Sequence, residues 1–484
     1  MSLSDIITIL GLITAIIAFI SEKNREYLLL KFSTIDGILF SICLLFIHYL
    51  IAYDWFKEQG LYFESFEIYN NISSANWAYI IAINILFYTY YKIYYSFFPN
   101  RNRSKVIDYY RNQVLKGEFS LVVLLIEKYH KKDIVNYLKN ESNSGNRFEY
   151  AIIVYEEIVK DDSFLLNTAL SYPYLFTDFI SCLSSNNYSD RAFVERYLSI
   201  LIKNNSYRLI LELKNNQNFI ENNRYALPVK NQILRSLFLD ANVARYNYAW
   251  ATYGDLTCKY LDEEAQKKYS PLNTRIIDEN DDDMWEIRIY QAIWYFDIML
   301  REAIAQKIDS HMWLYYFSYF IDGLIDNIKL EQKNNSDTIL TKAHYLIRMI
   351  ISVMCDWIEL DCDFRSEKQY KSIVECIGWC LHSIAVSDKL YEEFKVECFQ
   401  LAIAQYFQMS NLEDIESRLC VLEERFVNPR MDNNFQLYPA RMFQYTQVME
   451  ASWAAYDKIP LQLENKNSLE RFERKVLLPL NIIF

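Results

Sequence analysis

Two kinds of hydrophobic pattern run along the chain. Within the first hundred residues, three stretches at about 3–20, 35–53 and 75–93 are apolar with no charged face. Each approaches the roughly 20 residues a helix needs to cross a ~30 Å hydrocarbon layer, which predicts three membrane-spanning helices. Farther on, apolar residues recur every three or four positions opposite charged ones. Ile289, Ile293, Phe296, Leu300 and Ala303 form one such row, and Leu314, Phe317, Ile321, Leu324 and Ile328 form the next. The spacing is that of a helix with one face in a core. It returns in Phe148, Ile152, Tyr155 and Val159, in Leu340, Ala343, Ile347, Ile350, Met354 and Trp357, and in Ile415, Leu419, Leu422 and Phe426. The predicted fold is all-α: three N-terminal transmembrane helices followed by a large cytoplasmic α-helical bundle or irregular α-solenoid. No fixed repeat length is visible, so any solenoid is degenerate.

Composition supports the helical reading. Only 8 Gly and 8 Pro occur in 484 residues, well below the usual ~7% and ~5%, which disfavours sandwiches, barrels and Rossmann-like sheets. The apolar pattern is broken at Gln266-Lys267-Lys268-Tyr269-Ser270-Pro271 and again at the acidic run Asp278-Glu279-Asn280-Asp281-Asp282-Asp283. The expected organisation is a transmembrane domain at 1–98, a first cytoplasmic helical domain at 99–270 and a second at 278–484.

Charge orients the predicted spans. The loop after the first carries Lys23, Arg25 and Lys31, whereas the loop after the second carries Lys57 against Asp54, Glu58, Glu64 and Glu67. Beyond the third come Lys92, Arg101, Arg103 and Lys105. Both tests place the amino terminus outside and the residues beyond ~100 inside, at a plasma membrane of bacterial inner-membrane type. The first span lacks a basic leader and a small-residue cleavage site, so it is read as retained. Tyrosines and Trp77 at the two ends of the third span suit interfacial belts.

Within the first span, Ser4, Thr8, Gly11, Ala15 and Ala18 share one helical stripe. Small residues let backbones approach closely in lipid, so this stripe is a packing face, either for the other spans or for a second subunit in a homo-oligomer. Asp36, His48 and Asn84 are the polar residues within the spans. Asp36 and His48 lie near interfaces, where they reach headgroups, and Asn84 sits where an interhelical hydrogen bond is expected. Arg101, Arg103 and Lys105 form a juxtamembrane basic cluster read chiefly as topology-determining charge.

Candidate chemistry is sparse. A net charge of −12 disfavours nucleic acid, which needs a basic stripe. Nine scattered cysteines read as reduced core thiols. Cys376, Cys380 and His382, with Cys355 and Cys362 upstream, invite zinc, but the two thiols share a core stripe with Ile373 and Ile384 and the histidine points elsewhere. The acidic run lacks the glycine and terminal glutamate of a calcium loop and reads as a linker and helix cap. Glu212-Leu213-Lys214 resembles half of a nuclease metal site only by tripeptide, and a helix fits it equally well. Phosphate loop, zinc-helix and nucleophile-elbow motifs are absent. No cofactor, metal or catalytic residue is expected.

The sequence therefore reads as a non-enzymatic integral membrane protein whose cytoplasmic helices sense or dock a protein partner and control the anchor in the lipid bilayer. In layout, and in no specific residue, it looks like the membrane effectors of bacterial immune, anti-phage systems. A static membrane-tethered scaffold is the alternative, and an enzyme with a site assembled from distant side chains is the third.

Overall fold

The computed structural model describes residues 22–62, 73–139, 146–183, 190–216, 220–221, 224–225, 227–276, 282–308, 312–329, 341–362, 367–410, 439–458 and 470–477. Among them the chain is helical throughout, apart from a two-residue antiparallel pair, Ile220–Glu221 with Arg224–Tyr225, and an isolated bridge between Arg275 and Thr341. It divides into two compact units, 1–137 with 141–168, and 138–140 with 169–484.

The N-terminal unit contains α1 (Glu22–Leu29), α2 (Thr34–Ile51), α3 (Tyr53–Glu58), α4 (Ser74–Tyr94), α5 (Arg103–Leu115), α6 (Phe119–Tyr129), α7 (Lys131–Leu138) and α8 (Asn146–Val154). Next, a π-turn, Tyr155–Val159, leads into α9 (Asp162–Ser171), within which the two units divide. Helix α2 starts on a capping box: the Ser33 hydroxyl accepts from the Asp36 N–H while the Asp36 carboxylate accepts from the Ser33 N–H. The antiparallel partner of α2 is α4. Near the far end of α2, Ile47 and Leu50 meet Ala78 and Ala82, with Trp77, Ile81 and Ile85 packed around them. Two alanines one turn apart let these backbones draw close.

Of the predicted spans, α2 alone among the described helices is long and apolar enough to cross a membrane. Its mean hydropathy is 2.0, and 17% of its residues are buried. Helix α4 has the length, 21 residues, but its tyrosines, asparagines and Lys92 lower its apolar character. The first predicted span, with the stripe Ser4, Thr8, Gly11, Ala15 and Ala18, lies outside the described residues.

The C-terminal unit runs through α10 (Tyr174–Ser181), α11 (Arg191–Lys203), α12 (Tyr207–Asn216), α13 (Gln232–Phe238), α14 (Ala241–Tyr246), α15 (Ala249–Ala265), α16 (Arg288–Ala305), α17 (Tyr315–Asn327), α18 (Lys342–Cys362), α19 (Glu367–Val386), α20 (Glu392–Ser410) and α21 (Pro439–Asp457). From α15 onward the packing follows a rule. Helix α15 packs on α17, α17 on α19 and α19 on α21, while α16 packs on α18 and α18 on α20. Odd and even helices thus form two layers, which is the arrangement of a solenoid of helix pairs rather than a closed bundle. Helices α15 and α17 flank the expected boundary at 271–277, yet they pack together within one compact unit.

The apolar rows predicted for α16, α17 and α18 are buried from Ile289 through Trp357 wherever they are described. Of the row predicted at Phe148, Ile152, Tyr155 and Val159, the last two are fully buried, whereas Phe148 and Ile152 are partly exposed and Tyr150, Ala151 and Val154 are buried in their place. The π-turn at 155–159 has more residues per turn than an α-helix, so buried positions recur there every four residues, 150, 154 and 158 beside 151, 155 and 159, and the 3.6-residue period misplaces the row before it.

Candidate functional site

The densest set of long-range polar contacts in the N-terminal unit lies where the α2/α4 hairpin meets the helices that follow it. It is built on Asp36, at the third position of α2. One carboxylate oxygen takes the Ser33 N–H at 2.6 Å, the Ser33 hydroxyl at 2.8 Å and the Lys92 ammonium at 3.1 Å. The other accepts a short hydrogen bond from the Tyr88 hydroxyl. The side chains of Asp36 and Lys92 are 6% and 15% exposed. A carboxylate with this many donors is satisfied where water is scarce, so the residue closes the hairpin rather than reaching a headgroup.

A second layer holds the α1–α2 turn. The Lys31 side chain is fully buried, its ammonium donating to the Ile93 carbonyl at 2.6 Å in the last turn of α4 and lying 4.9 Å from the Tyr129 ring centre on α6. A cation at a helix C-terminus satisfies an orphan carbonyl and complements the dipole. Burial, then the neighbouring Lys128, lowers the Lys31 ammonium to about 8. The buried Asn102 amide donates to the carbonyls of Leu30 at 2.7 Å and Phe32 at 2.9 Å, tying the same turn to the start of α5.

Behind these contacts is an aromatic box. Phe97 and Phe98 pack on Tyr129 and His130, and Phe97 also on Tyr150. The Tyr150 hydroxyl donates to the Pro99 carbonyl at 2.8 Å, and Tyr110 Oη lies 3.0 Å from His130 Nε2. Burial alone drives the His130 imidazole down to about 3, so it is neutral at physiological pH. Arg103 pairs with Glu149 and lies over the Tyr150 ring, and Arg111 pairs with Glu157 at 2.8 Å. The two pairs advance together along the chain, so α5 runs parallel to α8 and its π-turn.

The remaining predicted residues are more ordinary. His48 is exposed near the end of α2, its carbonyl accepting from the Ala52 N–H. Asn84 is exposed and donates to the Ile80 carbonyl at 3.0 Å one turn back, within its own helix rather than across helices. Arg101 and Lys105 are exposed, whereas Arg103 is engaged by Glu149 and Tyr150. Cys376 and Cys380 are buried, and the Cys376 thiol donates to the Leu314 carbonyl at 3.0 Å. Among the described residues no group of three or more His, Cys, Asp or Glu is placed to hold a metal ion. Most of the acidic run, its residues 278–281, lies outside the described residues.

Glu212 is helical, not part of a strand. Its buried carboxylate accepts from the Leu234 N–H at 3.0 Å at the start of α13, while the Asn231 amide bonds the Glu212 carbonyl and Asn216. Burial pushes Glu212 up to about 7, against the pull of the α13 amides.

Sequence reasoning missed Lys31, Tyr88, Lys92, Asn102 and His130 as one assembly. Their shared signal was weak: polar side chains next to apolar runs, recognisable as partners only once the antiparallel register of α2 and α4 is known. No family model, curated protein or solved structure matches this chain.

Proposed function

We propose that the chain is a non-enzymatic membrane protein whose cytoplasmic helical body docks or senses a partner and transmits that event to an N-terminal anchor. Three spans with the amino terminus outside, in a membrane of bacterial inner-membrane type, form the anchor. The small-residue stripe of the first span supplies a face for assembly with other spans or with a second copy. The observation that carries the reading is the clasp around Asp36, Lys31 and Asn102. It ties both ends of the hairpin's inner edge to α5 and α6, so a displacement of those helices is carried into α2 and α4 rather than absorbed in a slack linker. The work is a population shift: a partner that prefers one arrangement of the body biases the arrangement of the anchor by its difference in affinity. A membrane-perturbing effector of an antiviral defence system is the concrete form proposed.

The test is expression in bacteria with reporters fused after residue 60 and after the last residue, combined with carbonate extraction of membranes. The reading expects retention in the membrane, an external reporter at 60 and an internal one at the C-terminus. Entry of an impermeant dye on induction should be lost when Gly11→Leu and Ala15→Leu are combined. Release by carbonate would overturn the anchor. Dye entry surviving replacement of residues 1–98 by unrelated spans would overturn the coupling.

A further inference from the structure

Helices α15 and α17 approach closely because of two of the chain's few glycines. A Cβ at Gly254 would overlap the Tyr316 ring, and one at Gly323 would lie 3.0 Å from Leu261. Residues of both helices line a cleft of about 580 Å³ beside this contact. Its aromatic lining is Trp250, Tyr315, Tyr316 and Tyr319, and its charged lining is Asp255 and Asp262 from one helix with Asp322 and Asp326 from the other. No lysine or arginine lines it.

Spacing separates these carboxylates. Asp255 and Asp262 are seven residues apart on one helical face, about 10 Å along the axis, and Asp322 and Asp326 are one turn apart, about 6 Å. No three acids among the described residues come together as a metal site, so the cleft is suited to several separated positive charges rather than one ion. Between the charges lie ring faces, which attract cations and cover methylene groups. Among the described residues, one cation pairs with any of the four carboxylates: Lys389, whose ammonium lies 2.8 Å from Asp326. The chain thus seats one alkylammonium at an end of the cleft, leaving three carboxylates without a cation. Tyr316 donates to Asp255, which orients that carboxylate. Cys258, in the floor, is pushed up to about 12 by burial and then by Asp255 and Asp262, so it stays a protonated thiol in a negative field.

We propose that the cleft between α15 and α17 binds a linear aliphatic polyamine, its ammonium groups on Asp255, Asp262 and Asp322 and its methylenes against the tyrosine and tryptophan rings. This deepens the reading of the helical body as a sensor and rests on that reading only for the consequence of binding, not for binding itself.

Calorimetric titration of the full-length protein in detergent at pH 7.5 with spermidine tests it. The expected result is one saturable site per chain. Affinity should fall about tenfold or more on combining Asp262→Asn with Asp322→Asn, both exposed and without internal partners, and severalfold with Tyr319→Ala. It should be unchanged with Glu195→Gln, an exposed acid remote in sequence, and binding should persist in Mg²⁺ at matched ionic strength. Three results would each overturn the site: uptake that is unsaturable, or equal in wild type and the double variant, which marks general attraction to an acidic protein; displacement by Mg²⁺, which marks a metal site; and tighter binding of a lysine-rich peptide, which marks a protein groove. Membrane fractionation of the same double variant keeps the anchor reading separate, since loss of binding with normal membrane retention sinks the site alone.

Discussion

Helices α2 and α16 are both 18 residues long, and both carry several isoleucines. They are built for opposite surroundings. In α16 fourteen residues are buried, and the buried Asp297 is bonded by Trp357 Nε1 at 2.6 Å and Arg301 Nε at 2.7 Å. In α2 only Asp36, Ile47 and Leu50 are buried, while Ile38, Ile42 and Leu45 are 56%, 58% and 71% exposed. Helix α16 hides its apolar residues, whereas α2 displays them, and each hides a carboxylate under converging donors. Burying a bonded carboxylate is common to both; what tells them apart is the exposure of the apolar residues and the mean hydropathy of 2.0 in α2. A lone acid in an apolar helix is affordable only when several donors converge on it, and that convergence makes Asp36 a fastening point.

The sharpest way to break the comparison is Asp36→Ala. It leaves the Lys92 ammonium and Tyr88 hydroxyl without their acceptor at a site largely closed to solvent, and losing one partner of a buried ion pair costs roughly 3–5 kcal/mol. Tryptic cleavage after Lys92 and Arg101 should rise sharply in detergent-solubilised protein while cleavage within 249–305 is unchanged. Unaltered cleavage would mean that the clasp does not hold the hairpin.

A second comparison sets Leu300→Ala against Leu45→Ala. Leu300 is fully buried, and truncating a buried leucine costs roughly 2–5 kcal/mol. Leu45 faces outward, so its truncation should change denaturant stability in detergent by less than about 0.5 kcal/mol. Equal losses would show that α2 is an ordinary core helix, and the contrast would collapse.

The sequence disclosed the helices and most of the core through periodicity alone, because a residue every three or four positions needs no knowledge of its partner. It disclosed less of the clasp. Asp36 stood out as a charge in an apolar run and Lys31 and Lys92 as topology charges, but nothing in the sequence marked Tyr88 or Asn102. Each acquires its role from a residue at least 50 positions away, a pairing that depends on how the α2/α4 hairpin is registered. The α15/α17 cleft was hidden for the same reason: its acids lie on two separate helices, and nothing in the sequence pairs them until the glycines bring those helices together. The π-turn at 155–159 misled in a different way, since periodicity presumes 3.6 residues per turn and the chain departs from it there.

The subtlest difference between the units is in their response to acid. His130, in the N-terminal unit, sits among Phe97, Phe98, Tyr110, Tyr129 and Tyr150 with its pKa held at about 3 by burial. The unfolded chain takes up this proton near pH 6.5, so its contribution is complete above that value and falls by about 1.4 kcal/mol per pH unit as acid is added, down to about pH 3. Glu212, in the C-terminal unit, carries the opposite sign. Its folded pKa is raised from 4.5 to about 7, so the folded state holds a proton that the unfolded state has released, and its contribution is lost as pH rises between those values at about the same slope. Between pH 4.5 and 6.5 the two slopes oppose each other, and a global melting curve would partly cancel them. Hydrogen exchange resolved by peptide separates them: opening of α5 and α6 should become easier as pH falls from 6.5 to 5, while opening of α12 and α13 becomes harder, after correction for intrinsic exchange. His130→Phe should flatten the first trend and Glu212→Gln the second, each without affecting the other. If either substitution flattens both, the two units do not open independently, and acid acts on the molecule as a single cooperative body.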